Sequence, residues 1–578
     1  MGNAIQKRGR KFLRKFSRVS YKAREEGKEH IRENLLQRFS HIQDIRLLIL
    51  EWSLLVGALI MLAITQTIWF GETYADDVFV DGGTYTEATI GQVNSLNPLF
   101  ATTNSEKVLS KLMFATLTTV DYSGHVGMGL AESLTPDENG RIWSLKLRDN
   151  LKWSDGEPLT NEDVMFTIGL IQNSAVNTVY GANLAGVRVN EDESGRIIFT
   201  LPSAYADFVS ALEIPIVPKH ELEDAEPKTL VEDDFSNLPV TSGAFMFNAM
   251  QQAGASTGTV VYLSANPNHY AGKPMLNSFA VRAYDALEEI VTAVNSGVVT
   301  ATAELSGNEV DKLKTTAYNR RDSSIDSGVF AFFNTAAGRL RDKRLREAIR
   351  QGIDLTEIRA AAPGTMKLDY PLIDSQILLQ NYPTIPAHNY EVARTAISEI
   401  SASETIVLNI ATVKSGYLPE VANKFKEQLA TLGIEANVTE YEETQDFVAN
   451  IIARRNYDIL IYEIELGAEP DLLPYYHSSQ ASTAGLNLAS YRNALVDDLL
   501  IGARETIDIP LRAKKYETFL EYWMADVPAI ALYQSNMVYV YNKNVRAYNE
   551  NTKLVTPLDR FSDIINFASA KNTRYKTP

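Results

Sequence analysis

An uninterrupted apolar stretch lies close to the start of the chain. Residues 47–70 read LLILEWSLLVGALIMLAITQTIWF and carry one charged side chain, Glu51. As a helix, these 24 residues span about 36 Å at ~1.5 Å per residue, enough to cross the apolar part of a bilayer. Trp52 and Trp69 stand near the two ends, where tryptophan favours the membrane interface. The pattern predicts one transmembrane helix over residues 47–70.

Further along, short runs of polar and apolar residues are separated by turn residues. Three turns rich in Asp and Gly, at 121–124, 137–140 and 192–195, predict β-hairpins. They resemble pieces of calcium loops, but none has the spacing and final glutamate of an EF-hand loop, so hairpin turns are the preferred interpretation. Residues 160–163 (TNED) are typical of a helix start, because their hydroxyl and carboxylate groups accept from free backbone N–H groups.

The clearest periodicity lies in residues 405–467. Alternating apolar residues indicate strands, a 3.6-residue period indicates helices, and a continuous apolar run indicates a buried strand. The predicted order is strand, helix, strand, helix, strand, at 406–410, 419–432, 434–438, 444–455 and 459–461. This order calls for a parallel sheet with right-handed crossovers.

Polar residues follow all three of these strands. Ligands of open α/β sheets bind outside the carboxyl ends of the strands, so the ends at 413–417, 440–443 and 462–467 predict one polar rim. Its polar side chains are Lys414, Ser415, Tyr417, Glu440, Tyr441, Glu442, Glu463 and Glu465. For each of them taken singly, an ordinary solvated loop residue is the alternative. The acidic side chains favour a cationic ligand, although a generally acidic surface explains the same charges.

Charge is distributed unevenly along the chain. Residues 1–46 hold 13 basic and 5 acidic side chains, whereas residues 71–578 hold 42 basic and 66 acidic ones. The basic head predicts an N-terminus in the cytoplasm and residues 71–578 outside. A signal peptide cleaved near 73–75 is the alternative, but its apolar and basic regions would be shorter. The head could bind nucleic acid, but a helix on anionic lipid explains its charges better, so no nucleic-acid partner is predicted.

Motifs that carry catalysis or bind cofactors are missing from the sequence. The chain has no cysteine, which excludes disulfides, thiolate metal sites and lipidated cysteines. Phosphate-binding P-loops, His-Glu-x-x-His and Gly-x-Ser-x-Gly motifs are absent, and the seven histidines are scattered. We therefore predict no catalytic residue, no metal site, no cofactor and no enzyme activity. Paired carboxylates are plentiful, so composition leaves a glycosidase open.

Several segments resemble family 5 of the extracellular solute-binding proteins, the peptide and nickel receptors of ABC importers. The signature-like stretch is NLKWSDGEPLTNEDV at 150–164. Further similar segments follow the family order, at 130–148, 241–245, 266–274, 333–349 and 526–530. The resemblance covers roughly residues 82–567.

The resemblance implies a two-lobed α/β fold of the periplasmic-binding-protein type (type II), with two lobes that close around a ligand. We expect a basic cytoplasmic segment at 1–46, the transmembrane helix, and a short linker at 71–81. Lobe I is then expected at 82–331 with return of the chain at 537–567, and lobe II at 332–536. The polar rim becomes one wall of the cleft between them.

The resemblance also implies ligand contacts, and here the chain departs from the family. Peptide receptors of the family use a carboxylate at the position of Leu466, where Glu463 and Glu465 stand nearby, after a strand that ends near Tyr462. The basic residue expected after the strand at 406–411 is replaced by Ser415, with Lys414 before it, while Tyr417 keeps the expected tyrosine. Residues Thr102, Thr103 and Asn104 resemble the loop that approaches the ligand backbone.

These observations predict a membrane-anchored, single-pass receptor at the cell membrane that captures peptides or a related solute and delivers them to an ABC permease. A sensor or chaperone that uses the same two-lobed trap is the alternative, because the basic head is longer than anchoring requires. A surface hydrolase is a third hypothesis without a supporting motif.

Overall fold

A computed structural model describes residues 42–575 of the chain except 182–183, 253–257, 402–403 and 443. Residues 1–41, most of the predicted basic segment, therefore lie outside the described residues. The chain divides into two compact units, one formed by residues 1–78 and 571–578 and the other by Phe79–Ala570.

The first unit contains the predicted membrane helix. Helix α1 spans Ile42–Tyr74, and its stretch Leu50–Trp69 is long and apolar enough to cross a membrane. None of this stretch is buried in protein, so leucines such as Leu54 present their side chains outward. The hydroxyl of Thr67 donates to the carbonyl of Ala63 at 2.7 Å, which satisfies a polar group inside the apolar stretch.

The strands, in chain order, are β1 Ala75–Val80, β2 Thr84–Ile90, β3 Thr118–Val120, β4 Val126–Met128, β5 Ala131–Pro136, β6 Ile142–Leu147, β7 Arg188–Glu191, β8 Ile197–Thr200, β9 Phe245–Gln251, β10 Thr259–Ala265, β11 Ser278–Tyr284, β12 Ala301–Thr302, β13 Tyr318–Phe333, β14 Met366–Lys367, β15 Ile406–Val413, β16 Ile434–Tyr441, β17 Ile459–Glu465, β18 Ala529–Asn542 and β19 Ala570–Tyr575. Residues 71–81, expected as a linker, contain the end of α1 and strand β1, which pairs with β19.

The helices after α1 are α2 Asn104–Met113, α3 Asn161–Gln172, α4 Phe208–Ala211, α5 Lys219–Leu222, α6 Leu287–Asn295, α7 Gly307–Val310, α8 Lys343–Gly352, α9 Leu355–Ala360, α10 Tyr390–Ser401, α11 Leu418–Thr431, α12 Gln445–Phe447, α13 Leu473–Tyr476, α14 Ala494–Glu505 and α15 Ile509–Asp526. A π-helical turn at Val448–Ile452 continues α12.

One large mixed sheet organises the second unit, in the order β16-β15-β17-β13-β18-β12-β2-β11-β10-β9, with β14 on the edge of β18. Its two central strands are long. Strand β13 has 16 residues, β18 has 14, and they pair antiparallel almost from end to end. A smaller sheet has the order β5-β6-β8-β7.

Two main hydrophobic cores lie on either side of these long strands. One draws on residues 85–325 and 537–567, and the other on residues 329–533. We call the parts around these cores lobe I and lobe II. Strands β13 and β18 contribute to both cores, so they are the crossing strands between the lobes.

Local predictions are confirmed where the sequence pattern was strong. The turns at 121–124, 137–140 and 192–195 join β3 to β4, β5 to β6 and β7 to β8 in antiparallel pairs. Thr160 caps α3, and its backbone N–H donates to the Asp163 carboxylate at 2.8 Å. The strands β15, β16 and β17 are parallel, with α11 between the first two, as the alternation predicted.

Candidate functional site

A large cavity lies where the crossing strands pass between the lobes. Its volume is about 1110 Å³. Lobe I contributes residues 123–125 and 550–554, lobe II contributes 366–378 and 468–469, and the crossing strands contribute Asp322, Ser323, Ser324, Asp326 and Gln534. A cavity with walls from both lobes and a floor from the strands that join them is suited to a ligand that holds the lobes together.

The cavity is lined by more acidic than basic side chains. Most of its carboxylates have a donor in the protein. Their donors are Arg320 at 3.0 Å for Asp322, Arg359 at 2.9 Å for Asp369, the Tyr382 hydroxyl at 2.6 Å for Asp374, and Arg512 at 2.9 Å for Glu469. Asp326 and Glu550 line the same cavity without an ion pair or side-chain hydrogen bond to any described residue.

The predicted rim residues Lys414 and Ser415 are exposed at the end of β15. The Lys414 ammonium lies 2.8 Å from the Glu442 carboxylate, and this hydrogen bond and ion pair raise the pKa of Lys414. The carboxyl ends of strands β15 and β16 therefore lie side by side, as predicted. An exposed pair of this kind contributes little to stability.

Tyr417 reaches from lobe II to lobe I. Its side chain is almost fully buried, and its hydroxyl lies at the backbone N–H of Gly307, the first residue of α7. A Cβ atom at position 307 would collide with that hydroxyl, so the contact requires glycine there. Beside it, the Asn308 amide donates to Glu420 of α11 at 3.3 Å. The tyrosine expected to contact ligand thus joins the lobes.

The two predicted residues Tyr462 and Glu463 lie on opposite faces of β17, because successive side chains of a strand alternate. The Tyr462 ring lies 6.2 Å from the ring of Phe447. Glu463 instead faces Tyr533, where burial and then the Glu463 charge raise the tyrosine pKa. The structure therefore does not bring these two side chains together.

The side chains of Glu465 and Leu466, at the end of β17, also lie in different surroundings. The Glu465 side chain is exposed, and its carbonyl accepts from the Tyr475 hydroxyl at 2.6 Å. The Leu466 side chain is buried in the core of lobe II. Its backbone reaches the cavity, since its N–H donates to the Asp326 carbonyl at 2.8 Å and its carbonyl accepts from Gln376 at 2.9 Å.

Residues 102–104 begin helix α2 on lobe I. Thr103 is the N-cap in a capping box with Glu106, and the Thr102 hydroxyl also donates to that glutamate. Both hydroxyl groups therefore have structural partners. Asn104 donates to the Glu304 carboxylate at 2.9 Å. Segment 304–308 thus contacts two groups of predicted residues, Asn104 from lobe I and Tyr417 from lobe II.

A second contact between the lobes joins the segment at Tyr205 to the end of helix α14. The Tyr205 ring of lobe I stacks 4.7 Å from the Arg504 guanidinium of lobe II, and the Ala206 N–H donates to the Arg504 carbonyl at 2.8 Å. Burial, together with the nearby charges of Glu469 and Asp471, raises the pKa of Asp207 to about 7.

The sequence interpretation missed most of the cavity lining. Residues 361–389 connect α9 to α10 and contain only the two-residue strand β14. A long segment with so little regular structure inside a folded domain is often functional, so its length was an available signal. By contrast, residues 550–554 reach the cavity only because the C-terminal part of the chain returns to lobe I, and no local pattern indicates that.

Known proteins of similar sequence identify the family of this chain. The family model of bacterial extracellular solute-binding proteins, family 5 Middle, matches residues 125–485, more than half of the chain. The chain belongs to this family. Members of family 5 are solute-binding proteins. The fold that this chain shares with solved structures confirms the predicted fold class.

Individual curated proteins are similar to most of the chain. The oligopeptide-binding protein AppA of Bacillus subtilis (strain 168) is 25% identical over 501 residues, which are 82% of this chain and 90% of AppA. The nickel-binding protein NikA of Staphylococcus aureus (strain NCTC 8325 / PS 47) is 20% identical over 419 residues, which are 71% of this chain and 81% of NikA.

Solved structures of ABC-transporter and oligopeptide-binding proteins share the fold. The substrate-binding protein CtaP of Listeria monocytogenes superposes with a TM-score of 0.75 at 22% identity, over 85% of this chain and 99% of CtaP. AppA of Bacillus subtilis, solved in complex with a nonapeptide, has a TM-score of 0.70 at 22% identity, over 85% of this chain and 100% of AppA.

Proposed function

We propose that this chain is a membrane-anchored receptor that captures peptides in the cavity between its lobes and delivers them to an ABC importer. The observation that supports this proposal most strongly is the cavity itself, because both lobes and the crossing strands line it. A ligand that touches both lobes stabilises their closed arrangement, since it interacts differently with the open and closed states.

The size and lining of the cavity favour a peptide over a nickel complex. At about 1110 Å³ it exceeds the usual range for small-ligand sites of roughly 300–1000 Å³. Imidazole is a preferred ligand of nickel, and His125 is the one histidine in the described lining. Relatives named for oligopeptide binding support the same choice.

Anchoring explains how the receptor stays near its partner. Helix α1 holds the binding unit at the cell membrane, with the N-terminus in the cytoplasm and residues 71–578 outside. A tether raises the effective concentration of a receptor at a membrane-bound permease without any added contact. The receptor performs no chemistry in this proposal, and it requires no cofactor, metal or nucleic acid.

Native mass spectrometry of the full chain in detergent tests the proposal. After incubation with a random hexapeptide library, we expect added masses that fragment as peptides. Ala468→Trp places an indole ring in the cavity lining and should strongly reduce these adducts, whereas Ala494→Trp, on an exposed helix start outside the lining, should keep them. Peptide adducts that are equal in both variants, or none in the unmodified chain, would contradict it.

A further inference from the structure

The register between the crossing strands shifts at two points, and the larger shift, between Ser324 and Gly328, lies beside the cavity. Ser324 pairs with Asn536 and Gly328 with Gln534, so three residues of β13 stand opposite one residue of β18. Such an irregular bulge leaves residues unpaired and redirects their side chains. The middle one of the three is Asp326.

The bulge is held in place from both sides. Ile325 is buried in the core of lobe I, and its carbonyl accepts from the Gln534 amide at 3.0 Å. The Asp326 N–H donates to the Val555 carbonyl at 2.9 Å, and its carbonyl accepts from the Leu466 N–H at 2.8 Å. Segments from lobe I and lobe II therefore fix the backbone of Asp326, and its side chain lines the cavity.

The Asp326 carboxylate has no counter-ion in the described part of the chain. No Lys, Arg or His nitrogen forms an ion pair with it, and no side chain hydrogen-bonds to it, among the residues described. Lys553 lies close enough to lower its pKa slightly, but burial and the Asp559 charge raise that pKa to about 7. This contrasts with the four lining carboxylates that have donors of their own.

A partly buried carboxylate without a partner costs free energy, and an opposite charge brought next to it offsets that cost. The protein places such a carboxylate at the floor of a cavity open to ligand. Glu550 also lacks a partner among the described residues, but it is exposed to water, which satisfies it without a ligand.

We propose that Asp326 anchors a cationic group of the ligand, either the N-terminal ammonium of a peptide or a Lys or Arg side chain. The proposal rests on the proposed peptide-receptor function and adds a preference for cationic peptides. The family resemblance implies a carboxylate at the position of Leu466. The backbone N–H of Leu466 donates to the carbonyl of Asp326, so in this chain the acidic side chain lies on the neighbouring strand instead.

Three random hexapeptide libraries test this assignment on the full chain in detergent. The first has free N-termini, the second is N-acetylated, and the third is N-acetylated and lacks Lys and Arg. Binding of each library is measured by native mass spectrometry at several concentrations. The unmodified chain should bind the first library at least about tenfold more tightly than the third, as charge-assisted hydrogen bonds are strong.

Asp326→Asn should reduce that preference to within about twofold while peptides still bind. Glu550→Gln, which removes one exposed charge from the same cavity, should keep it. If the second library binds like the first, the cation is a side chain, and if it binds like the third, the cation is the N-terminus. An unchanged preference in Asp326→Asn overturns the assignment, as an Asp326–Lys553 ion pair in solution would.

Failure of the proposed function gives a different result, because then none of the libraries binds even the unmodified chain. A pH series on the unmodified chain tests the assignment without any substitution, so misfolding of a variant does not affect the result. A ligand cation requires an ionised Asp326, and Asp559 and Lys553 are the charged groups that face this carboxylate. A peptide N-terminus stays mostly protonated up to about pH 7, so the preference of the unmodified chain should increase from pH 5 to pH 7. A preference independent of pH would contradict the assignment.

Discussion

Two carboxylates, both close to the crossing strands, are treated oppositely by the fold. Glu87 of β2 is fully buried, and it accepts from Arg560 at 2.8 Å and from the Tyr539 hydroxyl at 2.9 Å. Asp326 of β13 lines the cavity without a cation from the described residues. In lobe I the protein supplies the counter-charge itself, and at the cavity it leaves that charge to the ligand. Stability and ligand recognition are thus assigned to different carboxylates.

The largest predicted effect comes from removing the counter-charge in lobe I. Arg560→Met leaves Glu87 buried without its cation, which should lower the free energy of unfolding by about 3–5 kcal/mol. Urea denaturation measures this loss. The double variant Glu87→Gln with Arg560→Met removes both charges and should recover much of it. A loss below about 1 kcal/mol in the single variant would contradict the comparison.

Asp326→Asn should act in the opposite direction. A folded pKa near 7, above the ordinary value of an aspartate, means that Asp326 favours the folded state at low pH and that this contribution is lost as the pH rises through 7. Without ligand, the variant should therefore be more stable than the unmodified chain by about 1–2 kcal/mol at pH 8, and by a smaller amount at pH 5, which lies between the unfolded and the folded pKa. Thermal unfolding at both values measures the difference. A destabilised variant at pH 8 would show that Asp326 has a partner of its own.

A smaller effect is expected at the contact between the lobes. Tyr417→Phe removes the hydroxyl at the Gly307 N–H and should cost about 1 kcal/mol of stability. Tyr441→Phe is a matched control, because Tyr441 packs against Phe447 through its ring, with the two ring centroids 5.4 Å apart. Equal melting temperatures for both variants would mean that the contact between the lobes adds nothing.

The smallest effect is expected on the polar rim. Lys414→Ala breaks an exposed pair with Glu442 and should leave the melting temperature almost unchanged. Peptide affinity of the same variant sharpens the comparison of the two regions. A severalfold loss would show that ligand extends from the cavity to the rim, as the sequence interpretation expects.

The sequence predicts elements well where one local pattern determines them. Helix α1 follows from a continuous apolar run, the hairpins from Asp/Gly turns, and the strands β15 to β17 from clear periodicity. The cavity floor depends on contacts between distant segments, since residues 326, 466 and 555 meet only after the sheet has formed. The bulge that directs Asp326 is a property of that pairing, so no spacing in the sequence reveals it.

Single side chains at strand ends were equally difficult to predict. Glu463 and Tyr462 are neighbours in the chain, yet the alternation of β17 sends them to opposite faces. Thr102 and Thr103 resemble ligand contacts, but the Thr102 hydroxyl donates to Glu106 in the first turn of α2 and the Thr103 hydroxyl donates to the Gln92 carbonyl. A rim can be predicted from topology, whereas the roles of its members depend on which neighbours satisfy them first.

Hydrogen exchange of the full chain in detergent, with and without the hexapeptide library at saturation, tests the central claim most directly. If peptides bind between the lobes at the crossing strands, backbone amides in 366–378 and 550–554 should exchange more slowly with the library present. Protection confined to 102–104 and 414–417, with no change in the cavity segments, would contradict the account and place the ligand at the polar rim.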